Sequence, residues 1–128
     1  HIMQPQEISE KVITEGLVKL GLLDGDPEEL HKSGAYKEFY MHKIGHWLGL
    51  DVHDAGDYVE GEEYMTFKPG MITTIEPGIY ISSSMDIDDK WKGIGIRIED
   101  DILVTKEGNE NLTKKVPSDP EEIESLMS

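Results

Sequence analysis

Two Pro-Gly pairs, Pro69-Gly70 and Pro77-Gly78, enclose the run Met71-Ile72-Thr73-Thr74-Ile75-Glu76, and this bracketing constrains the fold more than any other feature of the chain. Proline cannot donate to a β-ladder and glycine turns the backbone, so both ends of the run are fixed, while its β-branched interior favours extended backbone. The run is therefore read as a strand. Strand side chains alternate, so Ile72, Thr74 and Glu76 share one face and Thr73 and Ile75 share the other. A carboxylate is delivered at the very end of the strand. After the second Pro-Gly pair, Ile79-Tyr80-Ile81 resumes as a short strand.

A partner for this strand lies in Gly93-Ile94-Gly95-Ile96-Arg97-Ile98-Glu99-Asp100, which alternates strictly. Ile94, Ile96 and Ile98 fall on one face, while Arg97 and Glu99 fall on the other, roughly 7 Å apart at the rise of a strand. The pattern predicts a buried apolar face behind a charged one. Asp101 to Thr105 continues the strand, Lys106 to Asn109 turns, and Leu112 to Val116 pairs back. An antiparallel sheet of this kind brings Glu76 and Glu99 to one point, where two carboxylates repel unless a cation joins them.

Helices flank these strands. From Glu7 to Leu22, Ile8, Val12, Ile13, Leu17 and Leu20 recur on one helical face, with Gly21 at the C-terminal cap. Asp26-Pro27-Glu28-Glu29 supplies a capping carboxylate, a proline at the first helical position and acids in the first turn; a second helix follows to Ser33, closed by Gly34, with His31 on its surface. Asp119-Pro120-Glu121-Glu122 opens a last helix in the same way, with Ile123, Leu126 and Met127 as its apolar stripe. The acidic stretch from Asp54 to Lys68 reads as a loop, as does Ser82 to Lys92, where Trp91 is the residue pinned against the rest. His1-Ile2-Met3 is read as a cloning remnant outside the fold, leaving residues 4–128 as structure. The whole is an α+β arrangement.

The chemistry concentrates in Tyr40 to Asp54, where His42, His46 and His53, three of the chain's 5 histidines, lie among glycines and aromatic residues. Imidazole is the side chain that changes charge nearest neutral pH and the commonest metal ligand. His42 and His46 are spaced like the two histidines of a zinc-protease helix, but Lys43 stands where that motif carries its glutamate. A site of one imidazole and carboxylates remains, a donor set suited to hard or borderline divalent ions such as manganese. Taken singly, each of these residues is more often a hydrogen-bonded or salt-bridged structural group than a ligand, and spacing and face together leave metal binding at about even odds. The absence of cysteine removes thiolate ligands and disulfides and points to a cytoplasmic protein, as does the lack of an export signal. A formal charge of -15 argues against nucleic acid as a partner, and no run of apolar residues is long enough to span a membrane.

The histidine stretch, Glu76-Pro77-Gly78-Ile79-Tyr80 and Gly93 to Asp101 together resemble the C-terminal half of the catalytic domain of aminopeptidase P, the Xaa-Pro aminopeptidase of the pita-bread metallopeptidases. The resemblance implies a curved antiparallel sheet with helices on one face, and hydrolysis of the N-terminal peptide bond before proline at a centre of two manganese ions. It implies His46, Glu76 and Glu99 as metal ligands, and Glu76, His42 and His53 as catalytic groups. It further implies His42, His53, Tyr58 and Arg97 as the residues that bind a peptide with proline at its second position.

One departure stands against a complete site. The family also draws two aspartates from motifs of the form Asp-x-Gly and Asp-x-Thr-Arg, and neither motif occurs here; Asp24-Gly25 and Asp54-Ala55-Gly56 do not substitute. One histidine and two glutamates are too few for two six-coordinate ions. The 128 residues are therefore expected to be inactive alone, to bind manganese weakly, and to pair with another copy through an exposed edge. Two other readings stand beside this one: prolidase, which cleaves only dipeptides, and a pita-bread peptide-binding module without catalysis.

Overall fold

The computed structural model describes residues 1–128. Helix α1 spans Gln4–Lys19 and α2 spans Pro27–Ser33. The Asp26 carboxylate accepts the Glu28 and Glu29 N–H groups, and Gly34 closes α2 at φ 76°, in the left-handed region that favours glycine. A 3₁₀ turn, Ala35–Glu38, then leads into the histidine segment.

Seven short strands follow: β1 Val59–Glu60, β2 Glu63–Tyr64, β3 Ile72–Ile75, β4 Gly78–Tyr80, β5 Gly95–Arg97, β6 Asp100–Val104 and β7 Asn109–Asn111, before α3 at Pro120–Met127. β1 and β2 form a small hairpin inside the stretch expected to be loop. β7 lies upstream of Leu112 to Val116, where the returning strand was expected, because the turn is tight enough for Asn109 to pair with Val104.

All pairings are antiparallel, and the β3–β6 and β4–β5 pairs share one register, with Ile75 opposite Asp100 and Gly78 opposite Arg97. Carried across the interruption, that register sets Pro77 opposite Ile98 and Glu76 opposite Glu99. Pro77 has no N–H to give, so the ladder breaks there; its carbonyl still accepts the Ile98 N–H at 3.2 Å. On the far side of β3, residues 44–48 run antiparallel to it: Ile44 O accepts from Glu76 N at 2.7 Å, His46 O from Thr74 N at 3.0 Å, and Leu48 N donates to Ile72 O at 3.2 Å.

The core lies between α1 and the turn after α2: Ile13, Leu17, Tyr36, Phe39, Tyr40 and Ile81. Trp91, expected to be pinned, packs against it with Met85 and Ile87 from the same loop. Burial raises the Tyr40 hydroxyl above its ordinary pKa, and Tyr36, under burial and beside the Glu10 carboxylate, is pushed up to about 12.

The structure corrects the expected burial of the α1 stripe, of Ile96 and Ile98, and of His31. Ile8 and Val12 on α1 are more than half exposed and its C-cap Leu20 is 48% exposed; the buried stripe is Ile13, Thr14 and Leu17. Ile96 and Ile98, expected in the core, are 59% and 50% exposed. With Ile13, Leu20, Leu22 and Ile79 they line an open apolar groove of about 260 Å³. His31 is only partly exposed: its ring stacks on Tyr36 with centroids 5.7 Å apart, and its Nε2 is buried, 3.4 Å from Glu10 Oε2. Ile2 is buried, and its N–H donates to Met65 O at 2.9 Å. No helix is long and apolar enough to cross a membrane.

Candidate metal centre

The break in the ladder is where the site forms. Cross-strand neighbours stand about 5 Å apart at Cβ, so the register alone brings the Glu76 and Glu99 carboxylates together, an arrangement unfavourable without a positive partner. His46 adds a third group able to ligate a metal from the strand-like segment beside β3, one diagonal step from Glu76. Ligand atoms of His46, Glu76 and Glu99 lie within 4.8 Å of one another. Glu76 is buried and Glu99 exposed, so the group opens outward.

Thr74 ties His46 to Glu76. Its hydroxyl accepts the His46 N–H at 3.0 Å and donates to Glu76 Oε1 at 3.0 Å, while Arg97 Nη1 lies 3.3 Å from Glu76 Oε2. His46 Nδ1 lies 2.9 Å from the Trp47 carbonyl, which can only accept, so Nδ1 carries the proton. In the neutral imidazole this leaves the Nε2 lone pair facing Glu76 Oε1 at 3.3 Å. Two acceptors facing each other beside a second carboxylate fit a divalent cation bound between them, and an imidazole oriented through its other nitrogen is the usual form of a metal-ligating histidine.

A second chain of hydrogen bonds runs from the same arginine. Arg97 Nε donates to Tyr80 Oη at 2.7 Å, and Tyr80 Oη lies 3.0 Å from His42 Nε2. His42 Nδ1 is 2.8 Å from the Lys43 carbonyl and so holds a proton, and in the neutral imidazole Tyr80 is then the donor to Nε2. The Tyr80 hydrogen bond, followed by its electrostatic influence and the Glu76 and Glu99 carboxylates, raises the Arg97 pKa above its ordinary value. His53 stands against His46, with ring centroids 4.0 Å apart.

His42, His46, His53, Glu76, Arg97 and Glu99 are thus joined by one continuous set of contacts. Tyr58 does not join Arg97: it stacks on Trp47 at 5.3 Å and its hydroxyl accepts the Trp47 N–H at 3.3 Å. Sequence reasoning assigned no role to Thr74, Tyr80 or the Trp47 carbonyl. Alternation already put Thr74 on the face of Glu76, and that was the available signal for it.

Residues 4–106 match the model of metallopeptidase family M24. The Xaa-Pro aminopeptidase of Escherichia coli K12 is 51% identical over 91% of this chain, and that match covers 26% of the relative. Among solved structures, Pseudomonas aeruginosa aminopeptidase PepP superposes with a TM-score of 0.89 at 56% identity, over 92% of this chain and 27% of the other. E. coli aminopeptidase P with the inhibitor Pro-Leu gives 0.88 at 49%, over 95% and 28%. The chain therefore spans about a quarter of the length of these relatives and has the fold of the corresponding part of aminopeptidase P, the pita-bread arrangement. With the family match running over most of its residues and the ligand group at the break in its ladder, the chain belongs to metallopeptidase family M24.

Proposed function

We propose that this chain forms one wall of the catalytic site of an Xaa-Pro aminopeptidase, which removes the N-terminal residue from peptides whose second residue is proline. The observation that carries the reading is the convergence of His46, Glu76 and Glu99 beside His42, His53 and Arg97. His46, Glu76 and Glu99 would hold manganese, two ions in the complete site. Bound there, divalent ions supply Lewis acidity to the scissile carbonyl and make water acidic enough to serve as a nucleophile near neutral pH. Glu76 would hold the proton that water loses, a role supported by the contacts of Thr74 and Arg97 with its two oxygens. His53 and His42 are the imidazoles that meet the substrate, and Arg97 with Tyr80 orients His42. Tyr58, beside Trp47, belongs to the wall for the proline side. A cytoplasmic location belongs to the same proposal.

Three protein ligands do not complete two six-coordinate ions, so the 128 residues alone bind manganese weakly and do not turn over. The test pairs isothermal titration of the chain with Mn²⁺ and hydrolysis of Xaa-Pro tripeptides and dipeptides by the longer protein that carries it. Weak binding by the chain and cleavage of tripeptides by the longer protein are expected. Cleavage of dipeptides alone would make the parent a prolidase, and hydrolysis by the 128 residues at an ordinary enzymatic rate would overturn the incomplete-site argument.

A further inference from the structure

His53 reaches the site from a loop with little packing of its own. Leu50, Val52 and His53 are exposed, and the His53 imidazole makes no hydrogen bond, yet its ring stands 4.0 Å from that of His46 at an interplanar angle of 56°. What closes the loop is the next residue. The Asp54 N–H donates to the Trp47 carbonyl at 3.0 Å, and its carboxylate accepts from Leu50 N at 3.2 Å and from Ala55 N at 2.9 Å, so one side chain holds both limbs. The Trp47 carbonyl that receives Asp54 is also the acceptor for His46 Nδ1. A single oxygen thus joins the closure of the loop to the orientation of the ligand imidazole. Glycine at position 49 is required by the same arrangement, since a Cβ there would lie 1.9 Å from Asp54 Oδ2.

We infer that Asp54 is a positioning residue that holds the His53 imidazole over the ligand His46 and fixes the His46 ring through the Trp47 carbonyl; the second half of this role rests on reading His46 as a metal ligand. Asp54 touches no substrate and acts through the backbone of its loop. Without its carboxylate the Leu50 and Ala55 N–H groups turn to water, the loop opens, and His53 leaves His46. Partners of this kind behind a ligating histidine typically change metal affinity by about tenfold to a hundredfold.

The 128-residue chain labelled with ¹⁵N at histidine provides the test. In the native chain, two-bond ¹H–¹⁵N spectra show His46 protonated at Nδ1, and a ring-to-ring NOE joins His46 to His53. Asp54→Ala abolishes that NOE and weakens Mn²⁺ binding by about tenfold while the amide spectrum of the core stays dispersed. Gly49→Ala, which evicts the carboxylate without deleting it, gives the same loss. Should either variant fail to fold, Asp54→Asn carries the test: its Oδ1 keeps the Ala55 bond, its amide nitrogen faces the Leu50 N–H, and a partial loss of the NOE is expected. A folded variant that keeps the full NOE overturns the inference. A native chain that shows the NOE and binds no Mn²⁺ counts against the metal reading and leaves the placement of His53 by Asp54 standing.

Discussion

Replacing Thr74 by valine isolates the hydroxyl at the centre of the site. Thr74 is 1% exposed, and its Oγ1 both accepts the His46 N–H and donates to Glu76, each at 3.0 Å. Valine is close in shape, so the substitution opens no cavity and removes only the hydrogen bonds. A hydrogen bond to a charged acceptor contributes about 1.5–3 kcal/mol, and a buried N–H left without a partner costs about 1–3 kcal/mol. Neighbouring losses overlap, so the expected destabilisation is about 2–4 kcal/mol. At a urea m-value of about 2 kcal/mol/M, the unfolding midpoint falls by about 1–2 M with the slope unchanged. Urea titrations of native, Thr74→Val and Thr74→Ser chains followed by circular dichroism measure it. Serine keeps the hydroxyl and loses a methyl group, so it falls well short of the valine effect. A difference of less than about 0.5 kcal/mol between the valine and serine variants would refute the relay.

Tyr36 provides a prediction at alkaline pH. Its folded pKa of about 12 exceeds the unfolded value of 10.0, so its contribution is complete below about pH 10 and is lost as pH rises through the folded value. Urea midpoints of Tyr36→Phe should therefore decline less between pH 9.5 and 11.5 than those of the native chain, by about 1–3 kcal/mol over the full range, and parallel declines would refute the assignment. The open groove lined by Ile96 and Ile98, together with the unpaired outer edge of β7, leads us to expect that the isolated chain forms a homo-oligomer; light scattering that finds a strict monomer at millimolar concentration would refute this.

How much of this was legible in the sequence differs from element to element. α2 and α3 were readable because their signals are local: Asp26 and Asp119 cap, Pro27 and Pro120 begin, and Gly34 ends α2. β3 was readable because Pro-Gly pairs fix its ends. The break between β5 and β6 was not, because Ile98-Glu99 continues the alternation; what interrupts the ladder is Pro77 on the opposite strand, which enters only when the register is known. The short β1–β2 hairpin was missed because Glu60, Glu62 and Glu63 suppress any apolar alternation. His31 was misplaced because a helical wheel cannot show that the next turn brings Tyr36 under the ring.

The apolar alternation of β5 marks the difference between what a pattern encodes and what it does not. Ile94, Ile96 and Ile98 were correctly set opposite Arg97, because side-chain period depends only on the backbone. Their burial depends on whether another layer lies over that face, and period carries no information on that; here the face lines a groove instead. The charged face follows the opposite logic. Glu76 and Glu99 oppose each other because register and alternation agree, and the cost of opposing two carboxylates is what selects His46, Thr74 and Arg97 as neighbours. Thr74 and Arg97 were on the correct faces in the sequence from the start; His46 was set beside Glu76 only through the family resemblance, since the three hydrogen bonds that pair its segment with β3 have no alternation to announce their register. The site is therefore specified by two strands whose alternation is plain and one segment whose placement follows from theirs.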